Sequence, residues 1–248
     1  MPLTGLFIII AWAAADIVNG KRYRRVIFGA AGVSMVLILG VGTWFQARYW
    51  QNSLVLYQRA LDVTSNNALV HSGLGVALKK QGRSDEAIEQ FRKALRIYPP
   101  YNDAAANLGA SLVEKGLADG AAAVCREYLR IGQPDCRIQK ILGDALVLRL
   151  KMSNSGRFGA PLTTEGKRDL DEAVEHYRQA IQLKPDYLEA HYCLAEALTR
   201  QGKPEAAIEH YREVLRLSPD DSGARRALQA RLTGQNSSGK QMNEDEKP

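Results

Sequence analysis

The sequence is poor in cysteine and in aromatic residues, and each scarcity disfavours a class of protein. Its 248 residues include three cysteines, Cys125, Cys136 and Cys193, which lack paired C-x-x-C spacing. A disulfide scaffold and a zinc ribbon are therefore disfavoured. Aromatic residues make up 7% of the chain, and the alternation of apolar and polar residues that is typical of strands is scarce, which argues against an all-β fold.

The sequence also lacks the motifs of common enzyme classes. It contains no P-loop, H-E-x-x-H, G-x-S-x-G or G-x-G-x-x-G motif. The formal net charge is +6, but charges of both signs are interspersed after residue 45, and no basic face is interleaved with aromatic residues. We therefore predict that the chain alone is not an enzyme, with no catalytic residue, no metal site, no cofactor and no nucleic-acid partner.

One long uncharged segment is present. Residues 26–45 are 20 residues without a charge, which is the length of a helix that crosses about 30 Å of hydrocarbon. Trp44, Phe45, Tyr49 and Trp50 cluster at its end, as in the aromatic belt of a membrane interface. This pattern predicts a transmembrane helix that contacts lipid. The alternative, a buried core helix, would need a larger shell than the polar remainder of the chain offers.

A second apolar segment precedes this one. Residues 3–18 are interpreted as another membrane helix, with an interfacial helix as the alternative, because the start lacks the basic residues of a signal peptide. The loop 19–25 carries four basic residues, which the positive-inside rule places in the cytoplasm. Residues 1–50 are thus predicted to form a membrane region, a two-helix hairpin in a bacterial inner membrane, with the remaining chain periplasmic.

An internal repeat occupies most of the remaining sequence. Leu-Gly pairs begin at Leu74, Leu108 and Leu142, at a spacing of 34 residues. With the Ala-x-x-x-aromatic and Pro positions that follow, this pattern resembles the tetratricopeptide repeat (TPR) family over about residues 52–232. The resemblance implies an all-α solenoid of about four repeats, each made of two antiparallel helices. Their predicted first residues are Ala68, Asn102, Cys136 and Leu188.

The repeat pattern assigns roles to residues at helix ends. Gly82, Gly116 and Gly202 follow first helices, where a left-handed residue ends a helix. Ser84 is predicted to be the N-cap of a second helix, and Pro204 a first-turn residue.

Other repeat positions predict packing. Phe91, Tyr177 and Tyr211 should fill the space between repeats, and Cys125 takes the equivalent position in the second repeat, where we expect an inert core thiol. The histidines also occupy repeat or helix-surface positions, which favours packing over a metal site: His71, His176, His191 and His210.

Four segments depart from the regular repeats: three lie within the predicted solenoid, residues 51–233, and one follows it. A helix around Ser53 to Ala60 matches the second half of a preceding repeat, and a helix over about 221–232 should cap the other end. Residues 234–248 are predicted to be a disordered tail. The third repeat carries about 18 extra residues, predicted as a loop over 153–168, which is either a tolerated surface loop or a partner contact.

The concave face of such a solenoid, lined by the first helices, is the predicted binding groove. The mixture of charges and small apolar residues suits a protein or an extended peptide, whereas a solvated surface without a tight ligand is the alternative. Ser72 and Val76 replace the Lys and Asn expected in a chaperone-tail clamp. The candidate binding residues are Lys79, Lys80, Asp103, Arg137, Lys140, Asp144, Glu189, Tyr192, Glu196 and Arg200.

The front of the chain carries a second resemblance. The strings PLTGLFIIIAWAAADI, KRYRR and TWFQARYWQNSLVLYQRAL are similar to the last membrane helices and first repeats of bacterial proteins related to the transmembrane-and-TPR O-mannosyltransferases. In that family a glycosyltransferase membrane domain precedes extracytoplasmic repeats, and its catalytic acidic residue lies upstream of anything matched here. The resemblance implies that the chain is a C-terminal portion, or a shortened reading frame, of such a protein.

The predicted function is a membrane-anchored TPR protein–protein interaction module on the outer side of the membrane. In this interpretation it is the partner- or substrate-recruiting portion of a glycosyltransferase-like membrane protein. The alternative is a stand-alone membrane-anchored TPR protein that assists assembly or secretion.

Overall fold

The structure is a computed structural model that describes residues 32–41, 53–64, 66–153 and 162–245, with side chains described as far as residue 233. Within these ranges all regular secondary structure is helical. Contacts divide the chain into two compact units, Met1–Arg59 and Ala60–Pro248. After a helical stretch at residues 32–41, the helices are α1 (Ser53–Val63), α2 (Ala68–Lys80), α3 (Ser84–Ile97), α4 (Asn102–Glu114), α5 (Ala118–Ile131), α6 (Cys136–Ser153), α7 (Thr164–Leu183), α8 (Leu188–Arg200), α9 (Pro204–Leu217) and α10 (Ser222–Asp245).

The first unit contains the predicted transmembrane segment, of which the structure describes residues 32–41. These residues are helical and exposed, and Val36 and Ile38 are 69% and 71% exposed. Across the described part of the chain, no helix combines the length and the apolar content needed to cross a membrane. The rest of the predicted span 26–45 and the predicted helix 3–18 lie outside the described residues, so the membrane region stays a prediction.

The second unit contains four helix pairs at the predicted positions. The first helices begin at Ala68, Asn102, Cys136 and Leu188, the four residues that the repeat pattern predicts. Each packs against the helix that follows it, so α2–α3, α4–α5, α6–α7 and α8–α9 form the repeats. Helix α10 packs on α9 as the predicted cap. Helix α1 occupies the residues predicted for a preceding half-repeat, and that role stays a prediction. The all-α solenoid of about four repeats is confirmed.

The turns inside three repeats depend on glycine. Gly82, Gly116 and Gly202 have φ angles of 77°, 78° and 76°, the left-handed region that L side chains avoid. The predicted N-cap role of Ser84 is wrong, because Ser84 is the first helical residue of α3 and Arg83 is its N-cap. The left-handed glycine requires one more non-helical residue before the next helix can begin.

The aromatic positions form the core of the solenoid, as predicted. Phe91, Tyr177 and Tyr211 are no more than 2% exposed. The first helix approaches each ring closely: a Cβ atom at Gly75 would lie 2.5 Å from the Phe91 ring, and one at Gly143 would lie 2.6 Å from the Tyr177 ring. Any side chain at these two glycines would force the helices of the repeat apart.

The helices that flank the insertion in the third repeat are long: α6 ends at Ser153, and α7 begins at Thr164 inside the predicted loop 153–168, of which residues 154–161 lie outside the described part of the chain. Helices α6 and α7 contain 18 and 20 residues, compared with 13 and 14 for the helices of the first repeat. The Thr163 hydroxyl accepts a hydrogen bond of 3.0 Å from the Gly166 amide and caps α7. Because elongation adds a hydrogen bond for each ordered residue, both helices extend into the insertion.

Helix α10 also extends further than predicted. It begins at Ser222, near the predicted start, and continues to Asp245 through most of the predicted tail 234–248. Asp221 accepts a hydrogen bond of 2.7 Å from the Ala224 amide at the start of the helix. Once this turn is in place, propagation of the helix needs no new nucleus.

Polar contacts with a constant sequence separation join successive repeats. Asp85 pairs with Lys115, and Asp119 lies 3.6 Å from Arg149. The Gln201 amide donates a hydrogen bond of 2.6 Å to Asp171. Each of these pairs is separated by 30 residues and joins a second helix to the next first helix or its C-terminal end.

Candidate peptide-binding groove

The predicted groove residues lie on α2, α4, α6 and α8, the four first helices, which line the concave face of a TPR solenoid. Within each helix the small and bulky apolar positions are buried against the partner helix, and the charged positions are more exposed. The structure divides the ten candidates into residues that pair with charged neighbours, a residue that packs, residues that line a cavity, and two that are exposed.

Charged candidates near the first two repeats mostly pair with neighbours. Lys79 donates to Glu114 at 2.8 Å, and Arg137 lies 3.0 Å from both Asp103 and Asp135. The hydrogen bond to Asp135 raises the pKa of Arg137 above its ordinary value. These residues therefore complete contacts inside the protein. Two further candidates, Lys80 and Glu189, are exposed.

Lys140 and Asp144 form a more buried pair, 2.8 Å apart, with side chains 22% and 18% exposed. The Tyr177 hydroxyl donates a second hydrogen bond of 2.9 Å to Asp144. Burial alone would lower the pKa of Lys140, but the Asp144 carboxylate holds that pKa above its ordinary value. The contacts among Lys140, Asp144 and Tyr177 connect the groove to the core of the third repeat, and the charges of Lys140 and Asp144 are already paired with each other.

Tyr192 is placed in a packing contact. Its ring lies 5.9 Å from the Tyr211 ring in an edge-to-face arrangement, a favourable geometry for aromatic pairs. A Cβ atom at Gly223 would lie 3.4 Å from the Tyr192 hydroxyl, so this side chain also meets α10. A role for Tyr192 as a peptide anchor stays a prediction, and its contacts give it a structural role between α8, α9 and α10.

The remaining candidates converge on a cavity of about 740 Å³ between α6, α8 and α10. Asp144, Glu196 and Arg200 line it together with Lys151 and Arg231. The apolar part of its lining consists of Val113, Val147, Leu148, Leu170 and Ala197. The volume is within the range of about 300–1,000 Å³ that is typical of ligand sites. Lys79, Lys80, Asp103, Arg137, Lys140, Glu189 and Tyr192 do not line this cavity.

Two basic residues that line the cavity were not among the predicted groove residues. Lys151 lies in the part of α6 that exceeds a normal first helix, and Arg231 lies on the capping helix outside the repeat pattern. Lys151 could have been found by continuing the helical pattern into the insertion. The position of Arg231 depends on how α10 packs, and no repeat position marks it.

The thiol of Cys193, which lines the cavity, is unreactive. Burial raises the pKa of Cys193 to about 12, so the thiol is protonated at neutral pH and a poor nucleophile. Cys125 is also buried, with its pKa raised to about 12 by burial, which confirms the predicted core thiol. Among the residues that the structure describes, no group of His, Cys, Asp and Glu side chains is arranged to hold a metal ion. The cavity thus offers apolar surface and charge for binding.

Family models match the repeats in both halves of the chain. One model described as tetratricopeptide repeat matches residues 46–102 and 74–135. A second model with the same description matches residues 188–221. A model described as TPR repeat matches residues 167–202. Together the matches cover more than half of the chain.

Curated relatives share the repeat region. Protein O-mannosyl-transferase TMTC3 of Mus musculus is 25% identical over 207 residues, which is 82% of this chain and 22% of the relative. The peroxisomal targeting signal receptor of Kluyveromyces lactis is 33% identical over 88 residues, which is 35% of this chain and 16% of the relative. The chain spans about a fifth of the length of these relatives, and the match to the transferase lies in its TPR part.

Solved structures share the fold. MamA (residues 41 to the end) from Desulfovibrio magneticus RS-1 superposes with a TM-score of 0.54 at 20% identity and covers 74% of this chain and 97% of that one. This likeness supports the helical solenoid.

Proposed function

Because the chain is a tetratricopeptide repeat protein, whose repeats form a non-catalytic module for binding other proteins, we propose a specific role for it. The module is anchored in a membrane, faces the outer side, and holds an extended segment of a partner protein in its concave groove. It recruits partners or substrates for a glycosyltransferase-like membrane protein. The observation that carries the binding role is the open cavity between α6, α8 and α10, which combines apolar surface with charge.

Membrane anchoring is supported by the uncharged segment 26–45. In residues 32–41, helical side chains that would normally seek a core are exposed. An apolar helix with exposed side chains is stable in lipid and costly in water. The basic loop 19–25 supports an outer, periplasmic position for the repeats.

The connection to a glycosyltransferase is supported by the relatives. The named O-mannosyl-transferase shares its repeat region with this chain, and the uncharged segments at the front are the kind of sequence that would follow a membrane domain. The chain spans about a fifth of that relative, so sugar transfer is a proposal for the whole protein and not for these repeats.

Site-specific photocrosslinking tests the groove. A crosslinking amino acid at Val147, which lines the cavity on α6, should label one defined partner in membranes. The matched control is the same amino acid at Arg212, an exposed position of the second helix α9. The partner identified from Val147 adducts should also bind the purified chain. Equal labelling from both positions would contradict binding in the groove.

Reporter fusions test the topology. Alkaline phosphatase fused after residue 233 should be active, because the enzyme folds outside the cytoplasm, whereas the fusion at residue 20 should be inactive. The reverse pattern would overturn the outer location.

The gene sequence upstream of Met1 distinguishes the two functional hypotheses. A portion of a transferase requires further membrane helices and an acidic outer loop upstream, whereas a stand-alone assembly or secretion protein does not.

A further inference from the structure

The cavity between α6, α8 and α10 has a lining that can hold one apolar side chain of a ligand. Leu170 and Ala197 are buried in its wall, whereas Val113, Val147 and Leu148 are partly exposed to it. Partly exposed branched side chains on a concave surface gain free energy when a ligand removes them from water. The apolar contribution to binding therefore lies within this cavity.

The charges around this lining are unbalanced. Lys151, Arg200 and Arg231 line the cavity and form no ion pair with any residue that the structure describes; Arg231 lies 6.0 Å from the Tyr211 ring. Of the two lining carboxylates, Asp144 is already held by Lys140 at 2.8 Å, which leaves Glu196. The lining thus has three cations without an acidic partner and one carboxylate without a basic one.

Several other cations on the first helices have acidic partners, as in Lys79 with Glu114 and Arg149 with Asp169. Lys80, outside the cavity, is a single exposed cation, whereas the cavity lining brings three cations together. A ligand with acidic groups would supply the counter-charges that the fold itself leaves out here. Complementary charge of this kind determines which partners bind and how fast they associate.

The lining favours a peptide over a nucleic acid. Single strands are bound by stacking bases on exposed aromatic rings, and the one aromatic ring in the lining, Tyr177, is 2% exposed. An extended peptide can place one apolar side chain in the cavity and direct flanking carboxylates to the cations.

We propose that the cavity between α6, α8 and α10 binds an acidic segment of a partner protein, with one apolar side chain seated on the valine and leucine lining and flanking carboxylates held by Lys151, Arg200 and Arg231. This inference rests on the proposed peptide-binding function and specifies its partner class. It places recognition in the second half of the groove.

Fluorescence polarisation with the full chain in detergent micelles tests the proposal. The probe is a fluorescein-labelled ten-residue peptide in which four glutamates flank a central leucine. Two comparison peptides carry lysine in place of the glutamates, or serine in place of the leucine. In low salt the glutamate–leucine probe should bind at least tenfold more tightly than the lysine peptide, and the serine peptide should bind about fivefold to tenfold more weakly than the probe. Raising the salt should weaken binding of the probe, because exposed charges are screened.

Charge variants locate the site. The double variant Arg200→Gln, Arg231→Gln should bind the probe about fivefold to tenfold more weakly. The matched control is Arg96→Gln, Arg212→Gln, which removes the same charge from second helices outside the cavity and should change the affinity less than twofold. The single variant Arg200→Gln, on an exposed side chain, keeps the test valid if the double variant unfolds, and melting curves check the fold of each.

The outcomes separate the two proposals. Equal binding of the glutamate and lysine peptides, or equal losses in the two double variants, would overturn the acidic partner class. If crosslinking at Val147 still captures a partner that binds the purified chain, the peptide-binding function stands and only the acidic partner class is wrong. If both the crosslink and the probe fail, both proposals are wrong.

Discussion

The first half of the solenoid (α2–α5) and the second half (α6–α10) use the same repeat but place equivalent charges in different surroundings. Lys115 and Arg149 are 34 residues apart and hold the same repeat position. Lys115 pairs with Asp85, whose side chain is 86% exposed, whereas Arg149 pairs with Asp169, whose side chain is 7% exposed. The repeat thus determines where a charged residue lies, and burial determines how much its ion pair contributes to stability.

The largest expected effect comes from the aromatic core, where the two halves should behave alike. Phe91→Ala and Tyr177→Ala each remove a fully buried ring, and each should lower the free energy of unfolding by about 3–5 kcal/mol. Urea denaturation measures both losses. A loss below about 1 kcal/mol in either variant would show that this half does not depend on its central ring.

The buried ion pair of the second half should contribute more to stability than the exposed ion pair of the first half. Arg149→Ala leaves the Asp169 carboxylate buried without its bidentate partner and should cost about 2–3 kcal/mol. Lys115→Ala removes the cation at the equivalent repeat position, whose pair with Asp85 is more exposed, and should cost less than about 1 kcal/mol. Equal losses in urea denaturation would mean that burial does not distinguish these two pairs.

Stability at acidic pH should distinguish the fourth repeat from the first. His191 Nε2 lies 2.9 Å from the Pro185 carbonyl, which can only accept, so His191 Nδ1 accepts from His210 Nδ1 at 3.1 Å. Burial and His191 lower the pKa of His210, an effect that Arg178 reinforces and that Glu209 and Glu213 oppose.

Because the folded pKa of His210 is below the unfolded value of about 6.5, the unfolded state binds the proton first. The stability from neutral His210 is therefore complete above that value and is lost as the pH falls, by at most about 1.4 kcal/mol per pH unit. His210→Gln would give His191 the kind of partner that His71 has in Gln90, and should flatten the change between pH 7 and pH 5.

The reciprocal change, Gln90→His, should add pH dependence to the first repeat. Urea denaturation at several pH values measures both variants. An unchanged pH profile in His210→Gln would contradict this account of the histidine pair.

The smallest expected difference concerns the two paired lysines of the groove. A double-mutant cycle with Lys140→Gln and Asp144→Asn should give a coupling energy of about 1 kcal/mol, because both side chains are largely buried. The corresponding cycle for Lys79 and Glu114, which are 30% and 58% exposed, should give at most about 0.5 kcal/mol. A larger value for the second cycle would reverse the comparison.

The groove was only partly predictable from the sequence. Of the residues chosen from repeat positions, Asp144, Glu196 and Arg200 line the cavity, and their role in binding stays a prediction. The pattern could not show that Arg137 pairs with Asp103, since this contact joins different repeats.

The 34-residue period, the starts of all four first helices and the left-handed glycine turns follow from the amino-acid sequence alone. These features depend on local conformation and on the alternation of small and large residues along a helix, which a sequence pattern contains. The packing of the helices, in contrast, sets which charges are neutralised, how far α6, α7 and α10 extend, and which cations meet at the cavity. Those outcomes depend on distances between side chains of different helices, and a linear pattern does not contain those distances.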